Sequence, residues 1–335
     1  MKASKENPIY SLYLVSNNGT KYDLTATLES LEFSDQEKQF SKSMDAVLLN
    51  TKVGSTWLTG IVKVRDRVYV YADDGERNEE VWRGYVWSRP YKSSLSDRTL
   101  QLKCYDNLIY MQESEDAEYF SSGKSTKDII SSLCNKWGVK LSYSYQSITH
   151  TKLALRGNLA DIFTADVLDL VKDRTGKDYV IISEGDVMKI NGTGTNTKVY
   201  KIISGTNAVE TSSECTMDGM ITKVVILGKA DENDRQPVEA TVAGSTGQYG
   251  TLQKIINRDS NTTLADAKKE AQSILNENGK PKWTYEVVCH DIPWIRKGDK
   301  VYVSAGDVVG NYIVKGIDRS ISNSKKEMTL TLKAA

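Results

Sequence analysis

A three-strand pattern occurs twice in this chain, and that repeat limits the folds open to it. Residues 295–333 run Ile-Arg-Lys-Gly-Asp-Lys-Val-Tyr-Val, a Gly/Asp turn, Tyr312-Ile313-Val314-Lys315-Gly316-Ile317, a polar turn, and Met328-Thr329-Leu330-Thr331-Leu332-Lys333. Residues 64–103 run Val-Arg-Asp-Arg-Val-Tyr-Val, an acidic turn, Trp82-Arg83-Gly84-Tyr85-Val86, a polar turn, and Arg98-Thr99-Leu100-Gln101-Leu102-Lys103. Val68 lies 32 residues before Leu100, and Val301 lies 29 before Leu330. Strand signals in the same order at similar spacing predict one module used twice, as two similar small β-barrels. Such a construction points to assembly rather than to a single catalytic pocket.

The segments around the repeat divide the chain further. The first ~110 residues alternate short β-branched or aromatic runs with polar turns. Expected strands are Leu28 to Phe33, Ala46 to Leu49, Trp57 to Tyr71, Val81 to Trp87 and Thr99 to Tyr105. From Glu113 the character changes. Ser125-Thr126-Lys127-Asp128 is a helix start, followed by Ile129, Ile130, Leu133 and Trp137 at helical spacing and by Gly138 as a stop. A second helix is expected from Asn158 to Gly176, then a hairpin of Tyr179–Ser183 and Val187–Ile190. Strand signals return at Lys198–Ile203 and Ile221–Leu227. The polar stretch Gly228–Gly250 reads as a long surface loop or arm. A third helix spans about Thr263–Asn278, ended by Gly279 and Pro281.

The expected fold class is α+β, mainly β: two similar small β-barrel domains with an intervening α+β domain. Residues 1–111 form the first barrel. Residues 112–195 form the α+β domain, completed by 229–282. Residues 196–228 and 283–335 form the second barrel.

A chain of 335 residues with 39% hydrophobic and 26% charged residues can bury cores of this number. Lys plus Arg and Asp plus Glu both count 44, so no global basic field draws the chain to nucleic acid or to an anionic membrane. No apolar run approaches the ~20 residues of a membrane helix. Lys2 and Lys5 precede only the short strand-like run Ile9–Val15, without a signal-peptide cleavage site, so a cytoplasmic protein is expected. Cys104, Cys134, Cys215 and Cys289 lie far apart without metal-ligand spacing and read as buried thiols.

Catalytic and ligand motifs score poorly. Of two histidines, His290 adjoins Cys289, but neighbours in a strand face opposite ways and cannot form a dyad. His150 has no partner motif. Asp73-Asp74-Gly75-Glu76 lacks the ligand series of a calcium loop and reads as a hairpin turn. Gly192-Thr193-Gly194 lacks the helix and Lys-Ser/Thr of a phosphate loop. Asn261-Thr262-Thr263 matches a glycosylation acceptor that is incidental in a cytoplasmic chain. Trp82, Trp87, Trp137 and Trp283 read as core residues. Trp294, in the turn entering the second repeat, reads as an interface anchor, with a sugar-stacking platform as the alternative. No catalytic residue, cofactor or metal site is expected.

In Gly247-Gln248-Tyr249-Gly250-Thr251-Leu252-Gln253, the helix through Ala267 and Ala271 to Leu275, Ile295–Val301, Gly310–Gly316 and Met328–Leu332, the chain resembles a known family. These are the baseplate hub proteins of contractile phage tails, prophage remnants and tail-like bacteriocins, the late control D-like hubs. The resemblance covers most of the chain in order. The first repeat departs from it, carrying Asp66-Arg67 in place of the Gly-Asp turn. It implies a non-enzymatic homotrimer whose two barrels per subunit form a pseudo-sixfold ring. Such a hub joins a hexameric tail tube to a trimeric central spike and supports tube assembly. The implied partners are the chain itself, the tube and spike proteins, and other baseplate and tape-measure components. Direct nucleic-acid binding and membrane insertion are not expected. Its implied location is the cytoplasm during assembly and then the tail. The alternatives are a carbohydrate-binding or adhesion module of a tail tip, and a cell-wall hydrolase.

Overall fold

The repeated pattern folds into two six-stranded modules with the same strand order. In this computed structural model, residues 8–37, 39–94, 98–232, 234–258 and 262–335 are described. The N-terminal lysines and Asn261 of the acceptor sequence lie outside them. The chain forms two compact units, residues 1–212 with 286–335, and residues 213–285.

The first module comprises β1 (Ile9–Val15), β2 (Leu28–Asp35), β3 (Ser43–Leu49), β4 (Arg67–Asp73), β5 (Asn78–Ser88) and β6 (Arg98–Tyr105). Its spatial order is β1-β4-β5-β6-β3-β2. The second comprises β7 (Tyr200–Ile203), β8 (Ala208–Thr216), β9 (Lys282–His290), β10 (Lys300–Ala305), β11 (Val308–Ser322) and β12 (Lys326–Ala334). Its order is β7-β10-β11-β12-β9-β8, so each strand has its counterpart six numbers later. Residues 213–285, the chain's second unit, begin within β8 and end within β9. In the first module the counterpart connection is only residues 36–42.

Alternation explains why these runs form strands and which face they bury. In β4, Val68, Val70 and Ala72 are buried between half-buried neighbours, and in β10 Val301, Val303 and Ala305 repeat this. The first sheet curls until its ends meet. Tyr10 of β1 and Phe33 of β2 lie 6.3 Å apart between ring centroids, and Phe33 packs on Trp82 of β5 at 6.5 Å. Leu24 N donates to Leu12 O at 2.8 Å, and Leu12 N to Thr25 Oγ1 at 3.0 Å. In the second module Asn207 does the equivalent work, accepting from Ile203 N at 2.9 Å. The modules differ at one pairing: β1 and β4 run antiparallel, whereas β7 and β10 run parallel.

Between the modules, helix Thr126–Lys136 and a helical run from Leu159 to Thr175 share a core. It contains Ile129, Ile130, Leu133, Ile162, Phe163, Val167 and Val171 with Met188 and Ile190. Strand Val187–Gly192 pairs with Tyr179–Glu184 and with Lys140–Tyr143. The expected start signals act as written: Ser125 accepts from Asp128 N, and Asn158 from Ala160 N. Gly176 ends the run with φ +67°. A π-helical turn at Thr164–Leu168, unforeseen from the spacing, interrupts it.

In residues 213–285, helix Leu264–Asn278 packs Ala267, Ala271 and Leu275 on Val224 and Ile226. The stretch expected to be a loop, Gly228–Gly250, instead contains strand Val238–Ala243, paired with Lys223–Leu227, and a short helix at Thr246–Tyr249. Its polar residues masked a strand with only one covered face. Likewise, Trp57–Tyr71 is not one strand, because a helical turn at Leu58–Ile61 precedes β4.

Candidate functional site at the seam between the modules

The end of β11 pairs antiparallel with β2, from Ile317 opposite Asp35 to Ser322 opposite Ser30, and joins the two modules by main-chain bonds. Strand alternation decides what each side of this seam carries. Asp318, Ser320 and Ser322 share the polar face with Ser34, Glu32 and Ser30. Arg319 faces inward beside Phe33.

Burying Arg319 requires a partner, and Asp291 provides it: the guanidinium donates to the Asp291 carboxylate. Arg319 also donates to the carbonyls of Ile292 at 3.0 Å and Ile295 at 2.8 Å. From β1, Tyr10 donates its hydroxyl proton to Asp291. Burial first, then the Asp291 charge, raises the Tyr10 pKa well above its ordinary value. Lys297 forms a second tie, with Nζ 2.6 Å from Asp35 and donating to the Gln36 and Gln39 carbonyls at 3.0 Å. Beside these lies a cavity of about 20 Å³ lined by Tyr10, Phe33, Lys42, Arg296 and Arg319. Burial lowers the Lys42 pKa to about 8, with Asp35 partly offsetting it.

Trp294, the sequence-predicted anchor, stands at this joint with 9% of its surface exposed. Its Nε1 donates to Asp74 Oδ2 at 2.5 Å, and the Arg77 guanidinium sits 4.1 Å from its ring centroid. The turn entering the second module is thus clamped to the β4–β5 turn of the first. With its ring face taken by Arg77, Trp294 offers no open platform. Asp74 also accepts from Glu76 N and Arg77 N, which makes Asp73–Glu76 a hairpin turn.

The remaining candidate residues lie elsewhere. His290 is exposed beside buried Cys289, on opposite faces as expected. His150 is buried, 2.8 Å from Thr126 Oγ1, and burial, then Arg174, lowers its pKa. Cys104, Cys134 and Cys289 are buried, but Cys215 is exposed, because both faces of its part of β8 are polar. Trp82 is a core residue. Trp87 and Trp283 are exposed, the latter at 56%, so strand context alone misplaced them. Trp137 is half-buried, with Nε1 donating to Asp116 at 2.7 Å. Gly194 N donates to Gly298 O at 2.7 Å, a structural bond in the Gly192–Gly194 turn. Among the described residues, no group of three or more His, Cys, Asp or Glu side chains could hold a metal ion.

The repeat is closer in structure than in sequence. Arg65 N donates to Val86 O at 2.7 Å and Val86 N to Asp66 O at 2.9 Å. Gly298 N donates to Val314 O at 2.8 Å and Val314 N to Asp299 O at 2.9 Å. Asp66 and Asp299 each accept from the backbone N–H three residues earlier, Lys63 and Arg296, at 2.8 Å. A bulge follows in both, at Trp87 in β5 and at Lys315 in β11. The Gly-Asp turn missing from the first sequence is present in shape: Arg65 adopts φ +69° where Gly298 has +87°. It is Arg65-Asp66, rather than Asp66-Arg67, that takes the Gly-Asp place.

The fold is that of phage tail proteins, and the resemblance to baseplate hub proteins holds at that level. A tail protein from Neisseria meningitidis MC58 matches with TM-score 0.71 at 14% identity, over 97% of this chain and 96% of that one. The prophage MuSo2 43 kDa tail protein from Shewanella oneidensis matches with TM-score 0.70 at 14% identity, over 98% of both chains. The Escherichia coli c3393 protein, a type VI secretion component described as similar to T4 tail proteins gp27 and gp5, matches with TM-score 0.57 at 8% identity. That match covers 92% of this chain and 74% of the other. The chain belongs to the YQBQ-like family, whose profile matches residues 31–333. No curated protein matches the sequence at a significant level.

Proposed function

We propose that this chain is a structural baseplate hub of a phage tail or tail-like particle, without catalytic function. The observation that carries this reading is the six-strand module, present twice in one order and joined edge to edge by β11 and β2. The likeness to whole tail-protein chains supports it. Three copies would present six similar modules, matching a hexameric tube on one face and a trimeric spike on the other. In this reading the two barrels, residues 1–111 and 196–228 with 283–335, form the tube-facing ring. The α+β region 112–195 and residues 229–282 serve the other partners. These are the spike, further baseplate parts and the tape measure, met in the cytoplasm before the chain becomes part of the tail. Trp294 anchors the joint that keeps the two modules of one copy in fixed register. The work is mechanical: rigid transmission through buried main-chain and ion-pair contacts.

Co-expression with the tube and spike proteins of the same particle tests this. A complex holding both supports the hub; binding to neither removes it. One observation favours a second reading, adhesion to glycans: exposed Trp283 stacks on Tyr285, with centroids 6.1 Å apart and planes 13° apart. Glycan binding lost on Trp283→Ala would favour it.

A further inference from the structure

Strand Lys140–Tyr143 of the α+β region pairs parallel with Val187–Gly192 on one side. Among the described residues, no strand lies on its other side. Ser144 N donates to Ile190 O at 2.9 Å, so alternation points the main-chain groups of Lys140 and Ser142 into the sheet. The N–H and C=O of Leu141 and Tyr143 therefore face outward along an open edge, which folded proteins cover or use. The side chains of Leu141 and Tyr143 lie half-buried against the core that helix Thr126–Lys136 helps to form. The helix runs antiparallel to the strand. Val139 N donates to Cys134 O at 2.9 Å where the strand begins, and Lys127 N donates to Ser147 Oγ at 3.2 Å beyond its end.

Helix and open edge bound a groove of about 570 Å³. Lys127, Ser131 and Asn135, stacked at every fourth position, form its helix wall, and Lys140, Leu141 and Tyr143 form its strand wall. From Lys127 to Asn135 is about 12 Å along the helix, the length of about four extended residues. The groove thus has the length of the strand it borders. Its lining carries two lysines and no carboxylate. Asp128 is the only acid between residues 121 and 150, and its carboxylate accepts from the Ser125 hydroxyl at 2.7 Å. Lys136 is neutralised by Asp116 and Glu118, which leaves the excess positive charge of this stretch at Lys124, Lys127 and Lys140.

We propose that this groove binds an acidic extended segment of a partner protein, which adds as a further strand beside Lys140–Tyr143. An extended chain is the form that satisfies the outward main-chain groups of Leu141 and Tyr143 while fitting between strand and helix. Register then dictates the segment's chemistry, because residues directly opposite share a face. The residue opposite Tyr143 lies on the helix side near Lys127 and is an acid. The residue opposite Leu141 is apolar and covers that half-buried side chain. The residue opposite Lys140 is an acid on the other face. The recognised pattern is acid, any residue, apolar, acid. This binding does not depend on the hub reading, so its failure leaves that reading standing.

The test is selection of random displayed peptides on the full chain, followed by binding of the enriched peptide in synthetic form, read by fluorescence anisotropy. Enriched sequences are expected to carry the acid, any, apolar, acid pattern. Lys127→Glu and Lys140→Glu, both at exposed positions, are each expected to weaken binding at least ~10-fold. Unchanged melting temperatures show that these variants fold. A peptide with lysine in place of its second acid is expected to lose binding to the parent and regain it on Lys140→Glu. Hydrogen exchange gives a readout that surface charge alone would not move: the bound peptide is expected to slow exchange at the Leu141 and Tyr143 amides. No enrichment, enrichment of basic or unpatterned sequences, equal binding to both variants, or unchanged exchange at those two amides overturns the proposal.

Discussion

The two modules share a strand order, a turn and a bulge, yet they hold their equivalent corners by different chemistry. In the second module Arg319 and Asp291 form a buried ion pair. In the first, the same two positions are Tyr91 and Asn50, a neutral pair with Asn50 Nδ2 donating to the Tyr91 hydroxyl at 3.4 Å. The charged corner is covered within the chain by β1 and β2; the neutral corner lies at an open edge. A charge pair suits a site that never opens, because removing either partner strands the other. A neutral pair suits a corner at an open edge, where water can satisfy either partner. The turn shows a second contrast. Gly298 has no room for a side chain, since a Cβ there would lie 2.6 Å from Val180, whereas Arg65 takes the same left-handed turn with its side chain in place.

These contrasts give measurable differences. Asp291→Ala is expected to lower stability in urea by about 3–5 kcal/mol, leaving Arg319 buried and unpaired. Asn50→Ala is expected to cost about 1–2 kcal/mol. Equal losses would break the comparison. Gly298→Ala is expected to cost about 1–3 kcal/mol from crowding and positive φ. Arg65→Gly should have the opposite sign, a gain of up to about 1 kcal/mol from relieved backbone strain. Trp294→Phe keeps the ring under Arg77 but loses the bond to Asp74, for about 1 kcal/mol by thermal melting.

The smallest effects are in titration. Burial raises Asp106, at the end of the first module, and Asp299, in the second, to about 6. Both are raised above an unfolded value of about 3.9, so the folded state binds more protons between about 4 and 6. Their share of stability therefore falls as pH rises through that window. Carboxyl resonances with midpoints near 6 are expected by NMR, and midpoints near 4 would contradict the burial.

Local signals were legible in the sequence. Ser125 with Asp128 marks a helix start that the side chain caps as written, and the third helix, expected from about Thr263, is capped by the Thr263 hydroxyl accepting from Asp266 N. The Val-Tyr-Val runs marked the repeated strands because burial on one face leaves period-2 alternation. Signals that depend on distant chain were not legible. Strand β8, Ala-Val-Glu-Thr-Ser-Ser-Glu-Cys-Thr, has little buried face and therefore no alternation to read. Trp87 and Trp283 sit in strands but on uncovered faces, which spacing cannot distinguish. The Arg319–Asp291 pair joins residues 28 apart, and nothing near either one signals the other. Trp294 stood out only as a tryptophan in a turn, and its partner Asp74 lies 220 residues away.

The most direct measurement is native mass spectrometry of the chain assembled with its tube protein. Two equivalent modules per chain predict two tube subunits for each copy, three copies to six subunits in a closed ring. One tube subunit per chain, in any closed assembly, would mean that the modules are not used as equivalents and would contradict the hub.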